Sequence, residues 1–167
     1  MLNMEQDQDY LNIVNHILNN EEFSKIKTIE HHGITRYDHS VKVSYYSYKI
    51  AKFLRLDYKD VARGGLLHDF FLSEDDRNQK EKLISTFIHP KKAVEHTKKH
   101  FEISKKEYDI IRTHMFPINL ALPKYAESWI VSLVDKGVAV SEFAEKFRYQ
   151  FRYAMNVYLL ILINVMR

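Results

Sequence analysis

A chain of 167 residues, 46% hydrophobic and 28% charged, is long enough to bury a core and too apolar to be disordered. Its formal net charge of +3, with no lysine or arginine block, argues against a nucleic-acid polymer as partner. The absence of cysteine excludes disulfides, thiolate catalysis and cysteine-type zinc sites, and with no signal-peptide layout in Met1 to Tyr10 it suits a cytoplasmic protein.

Only 4 glycines and 3 prolines leave little room for hairpins, so the expectation is an all-α bundle of roughly seven helices. No linker or repeat divides it, which predicts one domain over 1–167. In chain order, Tyr10, Ile13, Val14, Ile17 and Leu18 form the stripe of a first amphipathic helix. Thr28 to Tyr37 reads as a loop, with Asp38 capping a helix to about Leu54. On that helix His39, Val43, Tyr46, Ile50 and Phe53 share a face, which turns His39 inward.

A helix from about Tyr58 ends on His68-Asp69, and Phe71 to Lys82 reads as a loop with Ser73 to Asn78 as its polar tip. His89-Pro90 places proline where a first helical position tolerates it, so a helix runs from there to about His100. Ser104 to Glu107 is a capping-box pattern opening a helix that carries Ile110, Ile111 and His114 and stops before Pro117. After Pro123 a long helical pattern carries Asp135 among Leu133, Val134 and Val138. An apolar C-terminal helix follows at about 143–167. Its stretch from Tyr153 to Met166 is shorter than the ~20 residues that span a bilayer, so it reads as a buried helix or a homodimer contact.

Six residues stand out as ligands. A carboxylate at Asp135 in apolar company costs several kcal/mol unless a cation or partner meets it. His39, His68, His89 and His114 sit at helix ends or on apolar faces, and Gly64, Gly65 and Gly137 beside the ligands would let helices approach closely. Imidazole and carboxylate together suit iron, manganese, nickel, cobalt or zinc rather than magnesium. The set divides into one ion held by His39, His68, Asp69 and Asp135 and a second held by Asp69, His89 and His114. Asp69 is the bridge, because a carboxylate can join two ions and an imidazole normally cannot. Arg36 and Lys136, which flank ligands, are the catalytic cations expected to meet a phosphate, with Arg63 and Arg112 as weaker candidates. His31 and His32 offer an outer contact or proton donor. His96 and His100 stand at ligand spacing, yet among Lys98 and Lys99 they read as solvated, and His16 reads as structural.

The order His39, His68-Asp69, Asp135 resembles the HD-domain superfamily of metal-dependent phosphohydrolases, over roughly Thr28 to Phe147. The likeness includes the surrounding runs Gly33 to Val41, Gly64 to Asp69 and Val134 to Lys136. It implies that His39, His68, Asp69 and Asp135 are shared metal ligands and that His89 and His114 match the extra histidines of dinuclear branches. Phe70-Phe71-Leu72 after the doublet departs from the cyclic-di-GMP phosphodiesterases, so that substrate is not carried over. The expected activity is hydrolysis of a small phosphomonoester or phosphodiester, such as a nucleotide, by two divalent transition metal ions through a metal-bridging hydroxide. The Phe70-to-Lys82 and Met115-to-Pro123 loops are expected to wall the substrate pocket. A di-iron oxygenase of the same superfamily is the rival, and a non-catalytic nucleotide-sensing domain is a further alternative.

Overall fold

The computed structural model describes residues 3–31, 34–72 and 79–165, with side chains described at all of these except 3, 5, 30, 31, 79–86 and 157–165. Ser73 to Asn78, His32, Gly33 and the side chain of His31 therefore lie outside the described residues. Among the described residues the chain forms seven α-helices and one minimal strand pair. They are α1 (Gln8–Leu18), α2 (Glu21–Ser24), α3 (Arg36–Phe53), α4 (Tyr58–Leu67), α5 (Gln79–His100), α6 (Lys105–Thr113) and α7 (Ala126–Val165). A 3-10 turn, Lys25–Thr28, leads into the expected loop before α3, and that loop holds strands β1 (Glu30–His31) and β2 (Ile34–Thr35), antiparallel with Glu30 opposite Thr35.

Local chemistry sets the helix ends. Asp7 caps α1 by accepting from the Tyr10 amide, and Asp57 does the same for α4 through Asp60. Ser104 and Glu107 form the expected capping box on α6, each side chain bonding the other's backbone N–H. At α3 the cap is Thr35 rather than Asp38. The Thr35 hydroxyl accepts from the Asp38 amide, which puts Asp38 in the first turn, where its charge suits the helix dipole.

Three further expectations are corrected. Pro90 lies inside α5, which begins eleven residues earlier, so His89 is a mid-helix residue. Proline removes one backbone donor, and one missing bond does not end the helix. The face assigned to α3 is also wrong beyond its first turns. His39 and Val43 are buried, but Tyr46 and Ile50 are exposed and Phe53 is 85% exposed. The face toward α4 is instead built from small groups. Ser44 donates to Ala62 O at 2.6 Å, and a Cβ on Gly65 would lie 3.0 Å from Ser44 Cα. Gly64 is equally cramped, since a Cβ there would meet the Ile110 side chain at 2.9 Å. These two glycines let α3, α4 and α6 converge. Gly137 does not share that role, because its surroundings are open.

One part of the core gathers Tyr10, Val14, Ile17, Phe23, Leu67 and Phe70, and another joins Val43, Val61, Ile110, Val131 and Val138. The expected terminal helix is continuous with α7. Its side chains from Phe143 through Asn156 are exposed, so the described part of the tail is not buried. Among the described residues, no helix is long and apolar enough to cross a membrane.

Candidate metal centre

The six ligand candidates converge where α3, α4, α5, α6 and α7 meet. His39 is the fourth residue of α3 and is fully buried. Its Nε2 lies 3.0 Å from Asp135 Oδ1 and its Nδ1 lies 2.9 Å from Glu142 Oε2. His68 and His114 use one local device twice. Each is the C-cap of its helix, and each Nδ1 donates to the carbonyl three residues back, Gly65 at 2.7 Å and Ile111 at 2.8 Å. That bond fixes the ring and leaves Nε2 facing the centre.

Asp69 divides its two oxygens. Oδ2 lies 3.7 Å from His68 Nε2, while Oδ1 lies 3.4 Å from His89 Nε2 and 3.5 Å from His114 Nε2. His68 Nε2 is in turn 3.6 Å from Asp135 Oδ1, and the Nε2 atoms of His89 and His114 are 2.8 Å apart. Two metal-competent groups result, one of His39, His68 and Asp69 and one of Asp69, His89 and His114, each with ligand atoms within 4.8 Å of one another. Asp135 joins the first through its contacts with His39 and His68. The donor set fits divalent transition metals, and His68 Nε2 is buried with no hydrogen-bond partner among the described residues.

The electrostatics describe a cluster waiting for positive charge. Burial opposes ionisation of Asp69, but His68, His114 and His89 hold its carboxyl well below the usual range. Burial likewise works against Asp135, and the hydrogen bond with His39 together with the nearby His68 imidazole overcomes it. Burial pulls His39 down, yet Asp135 and Glu142 outweigh it and lift the imidazole to about 9. His68 is raised for the same reason, Asp69 and Asp135 overcoming its burial. His89 goes the other way, with burial the main cause, to about 4. In the metal-free protein the protonated His39 faces the carboxylates, and a divalent cation would replace that proton.

The flanking cations are placed less directly. Arg36 is buried, its guanidinium 4.0 Å from the Phe71 ring centre and its Nη1 donating to Phe71 O at 2.6 Å. The Phe71 ring also stacks on His89 at 5.8 Å, so Arg36 lies one ring away from that ligand. Lys136 donates to His114 O at 2.8 Å and to Ser132 O at 3.0 Å, which ties α7 to the end of α6. Arg63 is held by Glu107, the Glu102 carbonyl and His16, and Arg112 by the Tyr108 hydroxyl, away from the cluster. A groove of about 760 Å³ lined by Lys98, Tyr108, Arg112 and Tyr125 contains none of the six ligands.

Glu142 is the residue that sequence reasoning missed. It is buried, accepts from Lys42 at 3.1 Å through Oε1 and from His39 through Oε2. The available signal was its position two helical turns after Asp135, which returns it to the same face.

The HD domain family model matches residues 36–139, more than half of the chain. The chain belongs to the HD-domain family. The matched segment of this HD domain holds all six ligand candidates, whereas Glu142 falls three residues beyond it. Searches of curated proteins and of solved structures return no match.

Proposed function

We propose that this HD domain is a metal-dependent phosphohydrolase acting on a small phosphate ester, such as a nucleotide, with two divalent transition metal ions. The observation that carries the reading is the division of Asp69. One oxygen faces His68 and the other faces His89 and His114, as a carboxylate shared between two ions requires. His39, His68, Asp69 and Asp135 would hold one ion and Asp69, His89 and His114 the other. Bound there, the ions would supply Lewis acidity and an activated water for attack on phosphorus.

The protein's own residues orient and charge the site. Glu142 accepts from His39 Nδ1, which aims Nε2 inward and raises the basicity of the ring. Lys136 is assigned a positioning role, since its ammonium holds the His114 carbonyl and hence the end of α6. Arg36 is assigned to the substrate phosphate, because its planar fork sits across Phe71 from His89 and suits a phosphoryl group. The buried walls around His39 and His68 keep bulk water from the inner ion.

The test is to load metal-stripped protein separately with manganese, nickel and iron and assay aryl phosphomonoesters, phosphodiesters and a nucleotide panel. Release of phosphate or of the aryl alcohol is the expected result. Dioxygen consumption with iron alone, and no ester cleavage with any metal, would overturn it in favour of an oxygenase. Metal binding with neither activity would indicate the sensing domain.

A further inference from the structure

Away from the central cluster, Glu22 of α2 meets His96 and His100 of α5, and their ligand atoms all lie within 4.8 Å of one another. The two imidazoles are one helical turn apart, which places them on the same face with ring centres 4.8 Å apart. His96 Nε2 is buried and has no hydrogen-bond partner among the described residues. The spacing that read as a solvated pair among lysines is therefore closed by a carboxylate from a distant segment. The lysines are present: Lys25 pairs with Glu22, but both side chains of that ion pair are partly exposed, and such pairs contribute little. A cation can displace or share it.

We propose that Glu22, His96 and His100 form a further metal site, separate from the Asp69 centre, for a divalent transition ion of the zinc class. Two imidazoles and one carboxylate are a sufficient protein ligand set for zinc, with the fourth position left to water at the exposed His100 edge. Calcium and magnesium prefer all-oxygen shells and are poorly served by it. Burial lowers the affinity of the His96 ring for a proton, which favours the neutral form that binds metal.

The site has a structural consequence. Phe70, the residue after the bridging Asp69, packs edge-on against His96 at 4.5 Å and lies 6.0 Å from His100. His89 precedes His96 by seven residues on the same helix, roughly 10 Å along its axis. An ion held by His96, His100 and Glu22 would staple α5 to α2 and fix the helix that presents His89. This inference does not depend on the hydrolytic reading.

The experiment is zinc binding to the full chain, followed by elemental analysis after dialysis and by thermal melting, in wild type, His100→Gln and Glu22→Gln. His100 and Glu22 are preferred to the more buried His96 because their loss leaves the core intact. The expected result is one ion fewer per chain in His100→Gln, at least about tenfold weaker binding of that ion in Glu22→Gln, and loss of its share of zinc-dependent stabilisation. Cobalt substitution should show a visible band that His100→Gln removes. Equal ion counts and equal affinities in all three proteins would overturn the proposal, whether or not the Asp69 centre binds metal or turns over substrate.

Discussion

The two sides of Asp69 are built differently. On one side, His39 and His68 are fully buried on helices packed against each other, and each ring has a hydrogen-bond partner at Nδ1, Glu142 or the Gly65 carbonyl. On the other, His89 comes from the middle of α5, is 14% exposed at its side chain, and rests on the Phe71 ring. The proton affinities reverse what depth alone suggests. The buried His39 is raised to about 9 because carboxylates surround it, while His89 is lowered to about 4. The inner position is thus better organised for metal but must release protons to take one. The outer position is ready at neutral pH but less firmly held. Rigidity and readiness belong to different ligands of one centre.

Breaking the shared ligand should have the largest effect. Asp69→Ala is expected to lose both ions by elemental analysis and to lower any hydrolytic activity by about a thousandfold, as loss of several kcal/mol of charge stabilisation implies. Retention of two tightly bound ions would remove Asp69 as the bridge. His89→Ala should separate the sides: one ion is lost or weakened by about a hundredfold while the inner ion stays, which sequential metal titration would resolve. Glu142→Gln should act on the inner side alone and more mildly, weakening that ion by roughly tenfold and lowering the pKa of His39, readable by NMR.

Acidity offers a further test in the metal-free protein. His39 is raised from the ordinary 6.5 to about 9 and His68 is raised as well, so their contribution to stability is full below 6.5 and is lost as pH climbs through their raised values. His89 is lowered, so it disfavours folding as pH falls from 6.5 toward 4. Melting temperature should therefore peak near pH 6.5 without metal, and bound metal should move the optimum upward. A metal-free curve that keeps rising from pH 6.5 to 9 would contradict the ion pairs described. The smallest effects concern the glycines. Gly64→Ala and Gly65→Ala should each cost about 1–3 kcal/mol from crowding, whereas Gly137→Ala, in open surroundings within α7, should gain up to about 1 kcal/mol.

These differences also explain what the sequence could tell. All six ligand candidates were legible, because helix-end histidines and a carboxylate among apolar residues are conspicuous. The α6 capping box was legible because its two members lie three residues apart. The inward face of α3 was not, since Ser40, Ser44 and Ser47 are buried there without any apolar signature, Ser44 against Gly65. Pro90 misled by its ordinary preference for helix starts. Glu142 stayed hidden because one acid beside exposed Phe143 and Val140 looks like surface until the partner helix carrying His39 is in place.

Helix α7 contains a sharp frontier. Among the described residues Glu142 is its last buried side chain, and Phe143, Phe147, Tyr149, Phe151 and Tyr153 face outward along a helix about 60 Å long in all. Aromatic surface of that extent favours a cover. Any cover that reaches the first turn past the frontier adjoins the carboxylate that orients His39. Occupancy of the outer arm and metal affinity would then be thermodynamically linked, each altering the other by the same factor.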